Sequence, residues 1–200
     1  MAVAVAEDQR VRQAGALPQP ERVLTERLAG QRDDAAFEVV LVISNRSDAT
    51  GLDIAAGKGV ETVALNHADH GRDREAHERA IDAVLAGHDV QVVALAGYMR
   101  LLTPWLVGRW AGRMVNIHPS LLPLYPGLDT HARAIAAGDK EAGATVHLVT
   151  EGVDEGPVLA QARVPILPDD NASALQERVK VAEHQLYPAA LNAFCGQLQA

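Results

Sequence analysis

The stretch REAHERAIDAVLAGHDVQVVAL, residues 74–95, indicates the fold class of this chain. Its first half carries apolar residues at the spacing of one helix face, namely Ala80, Ile81, Val84 and Leu85. This pattern predicts a helix over residues 74–86, and Gly87 is a residue type that often ends helices. The second half, at residues 90–95, is a short β-branched run that predicts a buried strand. A helix followed at once by a buried strand is typical of βαβ units in a parallel sheet.

Further β-branched runs lie on either side of this stretch, at residues 39–43, 60–65, 114–117 and 145–149. Strands that alternate with helical segments predict an α/β fold with a doubly wound, mostly parallel sheet covered by helices on both faces. Residues 160–166 alternate between apolar and polar side chains, which predicts a half-exposed strand. We expect this strand to pair antiparallel with residues 145–149.

The two ends of the chain carry weaker patterns. Val3-Ala4-Val5 predicts a short strand, and residues 21–28 predict a helix that Gly30 could end. A final helix is expected over residues 171–181. Its alternative N-terminal caps are Asp170, Asn171 and Ser173.

The composition excludes several classes of protein. The 200 residues are 48% hydrophobic and 22% charged, which is typical of a globular chain, and we expect one domain over residues 1–200 with 1–36 atypical. A net charge of −8 and only two Trp, three Tyr and two Phe argue against nucleic-acid binding. No apolar run approaches the roughly 18 residues of a membrane span. The lone Cys195 excludes an internal disulfide, favours a reducing cytoplasm, and is expected to be a packing residue.

The segment MVNIHPSLLPLYPG, residues 114–127, carries the strongest chemical signal. Asn116 and His118 lie two residues apart at a predicted strand end, so their side chains share one face. The prolines that follow make the next loop stiff. An amide and an imidazole placed together can donate to an oxygen that gains negative charge, and the imidazole can also move a proton. The alternative is that Asn116 ends the strand and His118 bonds a backbone group.

An acidic cluster follows a later strand, in TEGVDEGP at residues 150–157. A carboxylate near His118 would raise the pKa of the imidazole, whereas the alternative is a solvated acidic turn. The remaining histidines show no metal-ligand spacing, so we expect no metal. His67 and His70 lie in a polar segment and are expected to be solvated.

Several motifs together resemble the folate-dependent formyltransferases, which have a Rossmann-like fold. They are NIHPSLLP at 116–123, YPG at 125–127, Asp154 before Gly156-Pro157, VALAGYMRLL at 93–102, ISN at 43–45 and EHQLYP at 183–188. The resemblance covers about residues 36–190, and the YPG triplet favours the branch that acts in purine synthesis.

The resemblance implies transfer of a formyl group from 10-formyltetrahydrofolate, a co-substrate, to the amine of glycinamide ribonucleotide. The amine would attack the formyl carbon directly. Asn116 and His118 would stabilise the tetrahedral oxyanion, and Asp154 would keep His118 protonated. No nucleic acid, membrane or metal is implied, and the chain would be a monomer or homodimer.

The same resemblance implies two sets of binding residues. The folate would contact Arg74, Met99, Arg100, Leu101, Leu102, Asn116 and Val153. The nucleotide would contact Gly97, Met99, Pro119 and Glu183. The alternatives are that Arg74 is a solvated charge at a helix start and that Glu183 is an exposed helix residue.

The beginning of the chain departs from the family. The family's first strand leads into a Gly-x-Gly-Ser-Asn-like loop that holds the substrate phosphate, whereas this chain has EDQRVRQAG at residues 7–15. Carboxylates there would repel a phosphate, and Arg10, Arg12 or Lys180 would have to compensate. The central first strand would be shortened to residues 3–5, by natural divergence or a reading-frame error. The alternative function is a folate-binding, catalytically impaired homologue, or another 10-formyltetrahydrofolate-dependent transferase or hydrolase.

Overall fold

A computed structural model of the chain describes residues 1–7 and 35–200. Within these residues, seven strands form one sheet in the order β3-β2-β1-β4-β5-β6-β7. The strands are β1 (Ala2–Glu7), β2 (Glu38–Ser44), β3 (Glu61–Ala64), β4 (Val92–Ala96), β5 (Met114–His118), β6 (Glu141–Leu148) and β7 (Val158–Pro165). The α-helices are α1 (Thr50–Gly57), α2 (Arg74–Gly87), α3 (Pro104–Arg109), α4 (Thr130–Ala137) and α5 (Ala172–Gln199), and a 3₁₀ helix spans His67–His70.

The strand directions confirm the predicted doubly wound sheet. Strands β1 to β5 run parallel to one another, and β6 pairs antiparallel with β7 as expected. Two details differ from the prediction. Strand β6 begins at Glu141 rather than residue 145, and it also pairs antiparallel with β5. The β5–β6 pairing matters for the candidate site, because it places β6 side chains directly opposite those of β5.

The prediction of a shortened first strand is wrong. Strand β1 has six residues, Ala2–Glu7, and pairs in parallel with β2 on one side and β4 on the other. It therefore occupies the central position that a doubly wound sheet gives to its first strand. The predicted helix at 21–28, its stop at Gly30, and the candidate phosphate contacts Arg10 and Arg12 lie outside the described residues.

Two buried clusters cover the two faces of the sheet. One face packs against α1 and α5, with Val42, Val92 and Val115 from the strands in contact with helix residues such as Leu191 and Phe194. The other face packs against α2 and α3, where Leu41, Val93 and Leu95 join Ile81 and Leu85. None of the described helices combines the length and the apolar character needed to cross a membrane.

The last helix is longer than predicted. Helix α5 runs over Ala172–Gln199, although the sequence favours an end near residue 181 because polar residues and Pro188 follow. Burial outweighs this local signal, since Tyr187, Leu191 and Phe194 continue the apolar face. Among the alternative caps, the Asn171 side chain accepts a hydrogen bond from the Ala174 amide at 2.9 Å. Cys195 is fully buried, which confirms its packing role, and burial raises the pKa of its thiol to about 11.

Candidate active site

The carboxyl ends of β1, β4 and β5 open onto one edge of the sheet. The chain moves outward from β1 to β3 and then returns to place β4 on the other side of β1. Such a reversal of strand order leaves a crevice in which doubly wound folds bind ligands. Gly97 directly follows β4, and Asn116 and His118 lie at the end of β5. The predicted catalytic pair is thus at the expected edge.

The structure brings Asp154 to His118 as the sequence analysis expects. Nδ1 of His118 lies 3.2 Å from Oδ2 of Asp154, and Nε2 lies 3.0 Å from the carbonyl oxygen of Tyr125. The alternative in which His118 bonds a backbone group therefore holds as well. The same Asp154 oxygen accepts a hydrogen bond from the Gly127 amide at 2.9 Å. Both side chains are almost fully buried, with 8% and 12% of their surface exposed.

Asp154 raises the pKa of His118 as expected, but burial outweighs it, so the expectation that Asp154 keeps His118 protonated is not met. Burial lowers the pKa of His118, and the Tyr125 carbonyl and Asp154 offset that effect only in part. The neutral imidazole is therefore favoured near neutral pH. For Asp154, burial acts to raise the pKa, but the hydrogen bonds from His147 and Gly127 and the nearby His118 together lower it. The pair is best described as a neutral imidazole beside an ionised carboxylate.

His147 is a site residue that the sequence analysis missed. It lies directly opposite Asn116 in the β5–β6 register, and Nε2 of His147 is 3.2 Å from Nδ2 of Asn116. The same nitrogen is 3.6 Å from Oδ1 of Asp154. Asp154 thus lies between two imidazoles. An antiparallel β5–β6 pairing is the signal that could have revealed His147, but only the β6–β7 pairing was predicted.

A buried polar network fixes the proline-rich loop after His118. The hydroxyl of Thr145 donates to the Ser120 carbonyl at 2.7 Å and accepts from the Leu122 amide at 3.0 Å. The Gln161 side-chain amide donates to both Thr145 and the Leu122 carbonyl. Because Thr145 lies opposite His118 in the β5–β6 register, this network holds the loop against the strand that carries the catalytic candidates.

The residues expected to bind folate lie in the segment after β4 and beside Asp154. Met99 and Leu101 are 42% and 62% exposed, and Val153 is half exposed. Arg74, at the start of α2, is exposed and donates to the Leu101 carbonyl at 3.3 Å. Arg100 and Leu102 in the same segment are half-buried.

The residues expected to bind the nucleotide are spread more widely. Glu183 is half-buried on α5, so it is not an exposed helix residue. Pro119 lines a small pocket together with Ser120, Thr130 and His131. Lys180, a candidate phosphate contact, forms an ion pair with Glu177 at 2.6 Å.

The prediction that His67 and His70 are solvated needs correction. Both lie in the 3₁₀ helix, both are half-buried, and Nδ1 of His67 is 3.2 Å from Nδ2 of Asn45. Their rings lie 6.4 Å and 5.3 Å from that of the buried His77. Across residues 1–7 and 35–200, no group of three or more His, Cys, Asp or Glu side chains is arranged to hold a metal ion.

Comparison with known proteins agrees with this geometry. A model of the family described as "Formyl transferase" matches residues 19–191. The chain is 44% identical to the phosphoribosylglycinamide formyltransferase of Escherichia coli over 76% of its own length and 72% of that protein. The crystal structure of phosphoribosylglycinamide formyltransferase from Brucella melitensis superposes with a TM-score of 0.86 at 44% identity, covering 97% of this chain and 95% of that one.

A larger relative carries the same region. The chain is 47% identical over 77% of its length to the trifunctional purine biosynthetic protein adenosine-3 of Drosophila melanogaster, but it spans only 11% of that protein. The match to the single-function bacterial protein is therefore the more informative one for family membership. The chain belongs to the formyl transferase family, on the branch of the phosphoribosylglycinamide formyltransferases.

Proposed function

We propose that this chain transfers a formyl group from 10-formyltetrahydrofolate to the amine of glycinamide ribonucleotide, a step of purine biosynthesis. The single observation that carries the proposal is the convergence of Asn116, His118 and Asp154 at the carboxyl end of β5. The similarity to proteins named phosphoribosylglycinamide formyltransferase supports the choice of substrates.

The reaction needs no covalent bond to the protein. The substrate amine attacks the formyl carbon, a C–N bond forms, and the carbonyl oxygen becomes an oxyanion. The Asn116 amide would donate to that oxygen. Nε2 of His118, which lies 3.0 Å from the Tyr125 carbonyl in this structure, would become a second donor once it has taken up the proton of the attacking amine. Collapse of the intermediate breaks the bond from the formyl carbon to N10 of the folate, and N10 takes up a proton.

The neutral state of His118 determines its part in the proton transfer. A neutral imidazole can accept the proton that the attacking amine loses, whereas an imidazolium cannot. Asp154, which remains ionised, would then stabilise the imidazolium as it forms and hold the ring in place. The proton would pass onward to N10, which makes His118 first a base and then an acid.

Binding residues form the remaining part of the proposal. Arg74, Met99, Arg100, Leu101, Leu102, Asn116 and Val153 would contact the folate, with the segment after β4 as one wall of its pocket. Gly97, Met99, Pro119 and Glu183 would contact the nucleotide. Its phosphate would be held near the carboxyl end of the central strand β1, where a doubly wound fold places such groups.

A turnover assay on the purified chain tests this proposal. Release of tetrahydrofolate from 10-formyltetrahydrofolate should depend on added glycinamide ribonucleotide. His118→Ala should lower kcat at least about a hundredfold, because it removes an oxyanion donor and the proton acceptor together. The control His88→Ala removes a histidine that pairs with Glu61 at 3.0 Å, and it should leave kcat within about twofold.

Other results of the same assay would contradict the proposal. Tetrahydrofolate release that does not require the nucleotide would indicate a hydrolase. Folate binding without any turnover would indicate a catalytically impaired homologue. Unchanged turnover in His118→Ala would remove the proposed mechanism.

A further inference from the structure

Three side chains on successive turns of α2 contact the segment that follows β4. Arg74, Glu78 and Asp82 are spaced four residues apart, so they lie on one face of the helix. Arg74 donates to the Leu101 carbonyl, Glu78 accepts from Thr103, and Asp82 accepts from the Trp110 ring nitrogen at 2.9 Å. Helix α2 therefore holds the segment 101–110 along its length. We call these three contacts the α2 clasp.

Glu78 makes the buried contact of the α2 clasp. It is 2% exposed, and one carboxyl oxygen accepts from the Thr103 amide at 2.9 Å. Its other oxygen accepts from the Thr103 hydroxyl in a short hydrogen bond. The Thr103 hydroxyl in turn caps helix α3 through the Leu106 amide at 3.4 Å. One carboxyl group thus fixes both the backbone and the side chain of a single residue.

The other two contacts hold the folate segment less directly. The Arg74–Leu101 bond lies at the surface, and the partly buried Asp82–Trp110 bond lies beyond Thr103, outside residues 97–102. Exposed polar contacts contribute little because water competes for them, whereas a buried carboxyl that loses a donor bears the full cost of desolvation. Among the three contacts, Glu78 is therefore expected to dominate.

Thr103 is the far end of the segment that begins at Gly97. The near end is fixed by β4, which is buried over all five of its residues. Between these two fixed points lie Met99 and Leu101, whose apolar side chains face solvent. The six residues 97–102 keep their positions only while both of these ends are held.

We propose that Glu78 is a positioning residue for the folate co-substrate. It touches none of the reacting groups, and it acts through Thr103 on the conformation of residues 97–102. This inference rests on the proposed function, because it takes that segment as a wall of the folate pocket. It assigns to Glu78 a larger effect on folate affinity than on nucleotide affinity, because the proposed nucleotide contacts Gly97 and Met99 lie toward the end of the segment that β4 holds.

Kinetics of Glu78→Gln against both substrates test the inference. Glutamine keeps the size of the side chain but turns an amide toward one of the two Thr103 donors. The KM for 10-formyltetrahydrofolate should rise about tenfold, the equivalent of one lost charge-assisted hydrogen bond. The KM for glycinamide ribonucleotide and kcat should change by less than about threefold. The control Glu75→Gln removes a carboxylate from the same helix that pairs with Arg79 at the surface, and it should behave as wild type.

Variants at Thr103 provide a second test that leaves Glu78 in place. Thr103→Val keeps the shape and the backbone amide but removes the hydroxyl, and it should raise the folate KM about threefold to tenfold. Thr103→Ser restores the hydroxyl and should return the folate KM to within about twofold of wild type. A role in stability alone would lower the melting temperature without separating the two KM values.

Calorimetry with tetrahydrofolate separates failure of this inference from failure of the proposed function. If wild type shows no turnover but binds tetrahydrofolate, the proposed reaction fails, and weaker binding by Glu78→Gln still supports the role of Glu78. If wild type turns over normally and Glu78→Gln raises both KM values equally or neither, the inference is overturned. Absence of tetrahydrofolate binding in wild type overturns it as well.

Discussion

Two buried acidic side chains in this molecule have opposite kinds of partner. Asp154, in the loop between β6 and β7, faces the imidazoles of His118 and His147 and the amide of Gly127. Glu78, in the middle of α2, faces the amide and hydroxyl of Thr103. The partners of Asp154 include two imidazole rings, which can take up or release a proton, whereas the Thr103 amide and hydroxyl only donate hydrogen bonds. The first arrangement can move protons, and the second can only hold a position.

The comparison also shows that an acid beside a base does not by itself set the pKa of either. Asp154 lies within hydrogen-bonding distance of His118, yet burial keeps the pKa of that imidazole below its ordinary value. A charged pair in the interior must overcome the desolvation of both partners. In this site the Asp154 carboxylate retains its charge because amide and imidazole N–H groups surround it. The His118 imidazole does not retain a charge, because burial outweighs its favourable contacts.

The largest expected effect comes from removing the charge of Asp154. Asp154→Asn keeps an oxygen that can accept from Gly127, but it cannot stabilise an imidazolium. We expect kcat to fall at least about a hundredfold, while the KM for folate changes little. Glu78→Gln should show the reverse pattern. Steady-state kinetics of the two variants therefore test whether the two acids have different roles.

A neighbouring carboxylate provides the control for this test. Glu151 lies exposed in the same loop, and Glu151→Gln removes an equal charge without touching either histidine. It should leave kcat within about twofold. A kcat in Asp154→Asn within about threefold of wild type would show that the carboxylate does no proton work.

A smaller effect is expected at His147. Its hydrogen bond lowers the pKa of Asp154, and its charge when protonated lowers that of His118. His147→Phe removes both influences, so the pKa of each partner should rise. Because the reaction needs neutral His118 and ionised Asp154, the acid limb of the pH–rate profile should move to higher pH, with kcat near pH 6 reduced about tenfold.

The matched variant for His147 is a glutamine. His147→Gln retains an N–H that can reach Asp154, so its profile should lie between those of wild type and His147→Phe. A profile in His147→Phe that coincides with wild type would show that His147 only packs against Asn116. Tyr125 and Arg133 also face His118, but neither changes in these variants.

Local patterns in the sequence were sufficient for much of the fold. The strand at 90–95, the helix at 74–86 and the antiparallel pair at the end were predicted because burial, alternation and helix stops are encoded within a few residues. Strand β1 was underestimated because Val3-Ala4-Val5 is short and the strand is stabilised by its pairing with β2 and β4, whose paired residues lie 36 to 89 positions away. Helix α5 was ended too early because its continuation depends on tertiary burial.

The site was predictable only where its residues lie close together in sequence. Asn116 and His118 share a strand end, and Asp154 followed from the family motif. His147 depends on a strand pairing across 31 residues, and Glu78 reaches Thr103 across 25. The direction of the His118 pKa shift could not be predicted, because it depends on how deeply the ring is buried, and no sequence motif encodes burial.

The smallest effect we expect is on stability, at His131 beside the site. Burial, with Lys180 and His118 as further causes, lowers the pKa of His131 to about 4. The ordinary value is 6.5, so the unfolded chain binds this proton between pH 6.5 and 4 while the folded chain does not. The free energy of unfolding should therefore decrease as pH falls through that window. His131→Gln should reduce the decrease between pH 7 and 4.5 by about 1–2 kcal/mol, allowing for partial exposure of the ring.

Urea unfolding of both chains at pH 7 and pH 4.5 measures this difference. The lower pH stays above the ordinary pKa of 3.8 for an aspartate, so Asp154 remains ionised and does not contribute. His88→Gln is the control of opposite sign, because the Val84 carbonyl and Glu61 raise the pKa of His88. The contribution of His88 to the free energy of unfolding is present below pH 6.5 and is lost as pH rises through the folded-state pKa. His88→Gln should therefore not reduce the decrease in the free energy of unfolding between pH 7 and pH 4.5. An equal decrease in wild type and His131→Gln would mean that the folded protein accommodates the charged ring, and that other groups, such as the buried His77, cause the decrease.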